Sequence, residues 1–201
     1  MSGQNKVSGV VLAGGKARRM QEQDKGLILC NNRPLVSYAL AAMKPLVDEL
    51  LISANRNQDR YGQWAYPVIS DAEQTFDGPL AGILAAMHAA KHSVLLIAPC
   101  DSPLIDTVHL QRLLEALVTQ EADIAVAFDG ERLHPVFAAL RTELQTDLQA
   151  YLLRGERKLQ QWFQRHLTIQ VDFSDTPHIF VNINTPAELL AVEQSLAGRL
   201  T

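Results

Sequence analysis

Apolar segments of two different periods alternate along this chain, and that alternation limits the fold more than any other feature. Val7 to Ala13 (VSGVVLA) is rich in valine and runs into Gly14-Gly15, the pattern of a buried strand. Leu50 to Ala54, Tyr66 to Ser70, Val94 to Ala98 (VLLIA) and Ile124 to Phe128 are predicted as further strands. Between them lie stripes at helical spacing. The first is Leu35, Ala39, Ala42, Met43 and Leu46, opened by Pro34. The next is Leu80, Ile83, Leu84 and Met87, and a third is Leu110, Leu113, Leu114, Leu117 and Val118. Strands alternating with helices imply βαβ crossovers, hence an α/β fold with a mostly parallel central sheet and helices on both faces.

The last third is less regular. Leu144, Leu148, Tyr151 and Leu152 predict one helix, and Leu159, Trp162 and Phe163 another. Thr168 to Phe173 and Ile179 to Ile183 read as strands, and Thr185-Pro186 opens a closing helix. Leu27 to Cys30 reads as a short extended piece before a turn at Asn31-Asn32, and His134-Pro135 as a structural turn, with a place lining the crevice as its alternative. No repeat, low-complexity segment or linker interrupts the 201 residues, so a single domain over 1–201 is expected.

Composition closes off several functions. A net charge of -4 does not suggest a wholesale grip on DNA, for which a strongly basic domain would be expected. No apolar run is long enough to span a bilayer, and two cysteines, Cys30 and Cys100, make no disulfide framework. A cytoplasmic protein is the expectation.

In such a sheet the ligand crevice lies beyond the carboxyl ends of the strands. Gly14-Gly15 follows the first strand, where backbone N–H groups can cradle phosphate oxygens, with Lys16, Arg18, Arg19 and Lys25 nearby in sequence. The spacing matches neither a P-loop nor GxGxxG, and a plain strand-to-helix turn with a solvated basic face reads equally well. Asn55-Arg56 follows the second strand, Asp71 the third and Asp101 the fourth. A carboxylate just beyond a buried strand suits Mg²⁺, which takes one or two carboxylates plus substrate phosphates; a turn-capping Asp is the alternative. His88 and His92 share a helical face, but no third ligand matches them as a zinc site.

Val10-Val11-Leu12-Ala13-Gly14-Gly15-Lys16-Ala17-Arg18-Arg19-Met20, followed by Asp24-Lys25-Gly26, resembles the LAGGxSxRMGxDK signature of nucleotidyltransferases. The match is closest to the molybdenum cofactor guanylyltransferase family. It continues through Arg33-Pro34-Leu35, Ala54-Asn55-Arg56, Asp71 and Gly78-Pro79-Leu80-Ala81-Gly82-Ile83. Pro99-Cys100-Asp101-Ser102-Pro103, the stretch from Gly130 to Pro135, Gly155-Glu156-Arg157 and Val181-Asn182-Ile183-Asn184-Thr185-Pro186 complete it.

The resemblance implies a Rossmann-like nucleotidyltransferase fold, with a nucleotide-binding part over about 1–105 and a pterin-side part over about 106–201. It implies a Mg²⁺-dependent transfer of GMP from GTP to molybdenum-bearing molybdopterin, with pyrophosphate released. Leu12, Ala13, Gly14 and Gly15 would contact guanine and phosphates, and Arg19 and Lys25 would neutralise the triphosphate. Asp101 would carry the metal. Ser53, Asn55 and Asp71 would hold the nucleoside, and Gly78, Pro79 and Gly82 would shape the site. Arg157, Asn182 and Asn184 would lie toward the pterin. Delivery of the product to a molybdenum insertion protein, a chaperone or an apo-molybdoenzyme is implied, and a monomer is the expectation.

Two departures stand out. Gln21 and Glu22 follow Arg19-Met20 where the family has glycine, which puts side chains on a bending loop and a negative charge near a triphosphate. Ser53 replaces the first Asn of the family's NANR. The alternatives are a cytidylyltransferase or sugar-phosphate nucleotidyltransferase of the same fold, and a cofactor-binding relative without turnover. Gly14 and Gly15 favour guanine over the cytidylyl branch.

Overall fold

The computed structural model describes residues 6–13, 16–17, 23–71 and 78–198. Seven strands form the main sheet: β1 (Val7–Leu12), β2 (Glu49–Ser53), β3 (Val68–Ile69), β4 (Val94–Pro99), β5 (Ile124–Phe128), β6 (Leu133–Arg141) and β7 (Thr168–Asp172). Their order across the sheet is β3-β2-β1-β4-β6-β5-β7. The β3-β2-β1-β4 half is wholly parallel and β7 pairs parallel with β5, so β6 alone runs against its neighbours.

The continuous apolar run of β4 follows from burial on both faces. Val94, Leu96 and Ala98 join one apolar cluster, while Leu95 and Ile97 join the other. On the first face lie α1 (Leu35–Met43) and α4 (Thr107–Thr119), which contribute Val36, Leu40, Met43, Leu110, Leu113 and Leu117. The opposite face carries α3 (Pro79–Ala89), α5 (Gln145–Leu153) and α6 (Leu159–Phe163). Each fully buried aliphatic side chain contributes roughly 1.5–3 kcal/mol of transfer free energy, so strand β4 is the keel of the domain. The short helix α2 (Gln58–Tyr61) leads into the β3 edge.

A third, smaller cluster of Ile28, Cys30, Leu35, Leu104, Ile183 and Val192 seats the closing helix α7 (Pro186–Gly198). It lies beside a tight ladder of Leu29–Cys30 with Arg33–Pro34, whose turn residues Asn31 and Asn32 both have positive φ. Asparagine tolerates that region better than most residues, as the hairpin turn requires.

Two expectations need correction. Ile179 to Ile183 is not a strand: Pro177–Phe180 forms a 3-10 turn and 181–184 carries no regular structure. The segment instead crosses the end of β4, where the Ile183 N–H donates to the Asp101 carbonyl at 2.9 Å and the apolar side chains of Ile179, Phe180 and Ile183 are buried from a non-strand backbone. His134-Pro135 is not a turn either, but lies within the nine-residue strand β6. The ladder to β5 shifts register between His134 and Ala138, which absorbs the N–H that Pro135 lacks. The third predicted strand shrinks to Val68–Ile69 at the sheet edge.

Candidate active site

The ends of β1, β2, β3 and β4 each deliver one part of a cavity of about 350 Å³. β1 contributes Leu12, β2 leads to Ser53 and Asn55, β3 leads to Asp71, and β4 ends in Pro99, Cys100 and Asp101. The start of α3 supplies Gly78, Pro79 and Gly82, while Lys25, Val136 and Asn182 close the remaining sides. The backbone fixes these ends to one another. The Ala13 N–H donates to the Ser53 carbonyl at 2.8 Å, and the Cys100 N–H donates to the Leu12 carbonyl at 3.0 Å.

Lys25 and Asp101 form the electrostatic centre. The ammonium Nζ donates to Asp101 Oδ2 at 3.0 Å, with both side chains largely buried at 13% and 14% exposure. It also donates to Asn184 Oδ1, which ties the start of α7 to the same charge. Asn182 accepts a hydrogen bond from Ser102 Oγ. The segment 182–184 therefore leans on the end of β4 through both side chains and backbone.

Asp71 and Asn55 form a second, reciprocal pair. Asn55 Nδ2 donates to Asp71 Oδ2 at 2.6 Å, and the Asp71 N–H donates back to Asn55 Oδ1 at 3.1 Å. Asp71 Oδ1 is the only buried side-chain polar atom without a partner among the described residues. Such an acceptor costs about 1–3 kcal/mol until a donor reaches it.

The approach of α3 depends on a missing side chain. A Cβ on Gly82 would come within 2.8 Å of Ser53 Oγ and 3.4 Å of Leu12 Cδ2. Gly78, at φ 79, caps the same helix in a region that residues with a Cβ rarely adopt. Cys100 lies against Asp101 but is an unreactive thiol: burial, then the Asp101 and Asp24 carboxylates, push its ionisation well above the ordinary value.

Leu12, Lys25, Ser53, Asn55, Asp71, Gly78, Pro79, Gly82, Asp101 and Asn182 thus line one cavity, and Asn184 meets it through Lys25. Ala13 is fully buried behind the wall. Arg157 is not brought to the cavity; it lies between α5 and α6, donating to the Leu152 and Glu156 carbonyls at 2.8 Å each. Gly14, Gly15, Arg18, Arg19, Gln21 and Glu22 fall outside the described residues, as do residues 72–77 between Asp71 and Gly78. Sequence reasoning missed Val136, because β6 was not anticipated there, and treated Pro99 and Cys100 only as neighbours of Asp101. His134 is taken up structurally: its ring stacks on Phe180 at 4.0 Å and meets Asp129 Oδ2 at 2.6 Å. Among the described residues no helix is long and apolar enough to cross a membrane.

Residues 9–170 match the MobA-like NTP transferase domain. A relative from Shewanella loihica, a molybdenum cofactor guanylyltransferase, is 43% identical over 191 residues, covering 95% of this chain and 97% of its own. Another of the same name, from Shewanella sediminis, is 44% identical with the same coverage. The solved structure of molybdopterin-guanine dinucleotide biosynthesis protein A from Archaeoglobus fulgidus has the same fold. Its TM-score is 0.79 at 20% identity, covering 95% of this chain and 99% of that one. With its parallel-strand cavity and near full-length likeness to these relatives, the chain belongs to the MobA-like nucleotidyltransferase family.

Proposed function

We propose that this chain is a molybdenum cofactor guanylyltransferase, transferring GMP from GTP to molybdenum-bearing molybdopterin. The observation that carries this reading is convergence. Segments scattered from Leu12 to Asn182 meet around one cavity, and all of its lining residues except Ser53 and Val136 belong to segments in which the sequence resembles the family.

In the reaction, a terminal phosphate oxygen of molybdopterin attacks the α-phosphorus of GTP. The bond from that phosphorus to the bridging oxygen breaks, and pyrophosphate leaves. Such transfers need positioning and charge neutralisation more than covalent help. Lys25 supplies a fixed positive charge, joined in the proposal by Arg19. Leu12, Ala13, Gly14 and Gly15 hold the base and phosphates. Asp71, with its free Oδ1, suits the N–H donors of guanine, aided by Asn55 and Ser53. Gly78, Pro79 and Gly82 shape the wall. Asn182 and Asn184 face the pterin side, and Arg157 enters on resemblance alone.

Asp101 is the residue that would hold Mg²⁺. Of the two carboxylates on the cavity, Asp71 is paired with Asn55, and Asp101, beside a lysine, fits an ion that completes its shell with substrate phosphates rather than with a protein cage. When bound, the ion would neutralise phosphate charge. The division into a nucleotide part over 1–105 and a pterin part over 106–201, the monomeric state, the cytoplasmic location and delivery to an insertion protein, chaperone or apo-molybdoenzyme belong to the same proposal.

The test is titration of the purified chain with GTP, CTP and ATP in the presence of Mg²⁺, followed by pyrophosphate release with molybdopterin. Selective GTP binding and release of pyrophosphate are expected. Preferential CTP binding would move the chain to the cytidylyl branch, and GTP binding without release would leave a binding protein.

A further inference from the structure

Lys25 stands on a long flexible stem, yet its ammonium is fixed between Asp101 and Asn184. The restraint comes from the residues on either side of it. Asp24 accepts from two donors on the segment that follows β2. Tyr61 Oη donates to its Oδ1 at 2.5 Å, and Asn57 Nδ2 donates to its Oδ2 at 3.0 Å. Both carboxylate oxygens are thereby engaged away from the cavity, and Asp24 does not line it.

Tyr61 is fully buried. Burial first, then the neighbouring Cys100 and Asp24, push its ionisation far above the ordinary tyrosine value, so the hydroxyl remains a donor across the physiological range. The ring also lies directly against Gly26, where a Cβ would collide with the hydroxyl and come within 3.2 Å of Cε1. Asn57 holds its place at φ 50, a conformation that asparagine tolerates. Lys25 is therefore bracketed: its predecessor is hydrogen-bonded to Tyr61 and Asn57, and its successor is packed under the Tyr61 ring.

We propose that Asp24 is a positioning residue, clamped by Tyr61 and Asn57, that delivers Lys25 to the Asp101 side of the cavity. The clamp works by hydrogen bonding rather than by charge. This rests on the guanylyltransferase reading only for the identity of the ligand whose phosphates Lys25 meets.

Three variants separate the clamp from its alternatives. Tyr61→Phe keeps the ring and deletes the donor. Asp24→Ala deletes both acceptors. Asp24→Asn keeps an acceptor for Tyr61, and Asn57 can turn its amide to accept from the new one. The first readout needs no nucleotide: the rate at which Lys25 in the intact, ligand-free chain is acetylated by an N-hydroxysuccinimide ester, followed by peptide mass spectrometry. Severalfold faster labelling is expected in Tyr61→Phe and Asp24→Ala, with Asp24→Asn near wild type and thermal melts of the variants close together. The second readout is the dissociation constant for GTP with Mg²⁺, expected to weaken about tenfold in the same two variants and to recover in Asp24→Asn.

Unchanged Lys25 labelling in both Tyr61→Phe and Asp24→Ala would overturn the clamp. So would an Asp24→Asn variant as impaired as Asp24→Ala, because that pattern marks a carboxylate used for its charge. If Tyr61→Phe does not fold, the contrast between Asp24→Ala and Asp24→Asn decides alone. Labelling that follows the expected order in a chain that binds no GTP would sustain the clamp and reject the guanylyltransferase reading.

Discussion

At the scale of single residues, the site is organised around a lysine and a carboxylate that share a largely buried corner. The pair is held at 3.0 Å, and the lysine has a second partner in Asn184. Removing the carboxylate charge therefore does not strand the ammonium, and Asp101→Asn is expected to fold and melt near the wild type. Its Mg²⁺-dependent pyrophosphate release is expected to fall by roughly 10²-fold or more, the scale seen when one preorganised electrostatic contact is lost from a transfer site. Steady-state turnover across a Mg²⁺ series checks this; undiminished activity at ordinary Mg²⁺ would remove Asp101 from the metal role. Asp101 was legible in the sequence because it directly follows a recognisable strand, and Lys25 because it belongs to the signature that the sequence resembles. Tyr61 was not. It sits in the polar run Asn57-Gln58-Asp59-Arg60-Tyr61, where no periodicity marks it as buried, and its partner Asp24 is distant in sequence. Only the folded chain brings the two together.

At the scale of elements, strands buried on both faces announced themselves, because β4 must be apolar at every position to satisfy both layers. Strand β6 did not, since His134-Pro135 carries the marks of a turn and the register shift that accommodates proline is invisible in one dimension. The segment before α7 misled in the opposite direction: Ile179, Phe180 and Ile183 are apolar because they plug the core from a non-strand backbone. The start of α7 was readable, and it bears on the site. Thr185 Oγ1 accepts from the Glu188 N–H at 3.2 Å, while Glu188 Oε2 accepts from the Asn184 and Thr185 N–H groups at 2.7 and 2.9 Å. This reciprocal cap fixes the backbone of the residue that receives Lys25. The Asn184 N–H, ahead of the Thr185 contacts, holds the Glu188 carboxyl below its ordinary value of 4.5. A folded value below the unfolded one means that the carboxylate stabilises the fold above about 4.5 and that the contribution disappears as pH falls through the folded value. Glu188→Ala is therefore expected to lower the melting temperature at pH 7, with the difference from wild type closing well below pH 4.5. Melting curves of both proteins across that range check it; a gap that persists in acid would assign Glu188 a packing role instead.

At the scale of the whole molecule, the three apolar clusters are unequal. Two large ones sandwich the sheet and share its central strands, whereas the third joins a short ladder and Ile28 to the first turn of α1, Leu104, Ile183 and one side of α7. Free energy of opening scales with the apolar surface that must be exposed, so the small cluster is expected to open without the rest. Each cysteine reports on a different unit. Cys30 lies in the small cluster and Cys100 in a large one, and neither thiol is exposed. Burial raises the ionisation of both, so that in either case the reactive thiolate forms only once the surroundings open. With Ellman's reagent, Cys30 is expected to react faster than Cys100 in the native protein, with a shallow dependence on urea. Cys100 should react with the steep urea dependence of global unfolding. Equal rates with equal urea slopes would mean that α7 and its ladder are as firmly bound into the fold as β4, and that Asn184 is held at the site by the whole molecule. Faster exchange at Cys30 would mean that the arm carrying Asn184 can leave Lys25 while the parallel-strand half of the cavity stays intact. Loss of the Asn184 contact would then be a local event rather than an unfolding one, on the side of the cavity proposed to face the pterin.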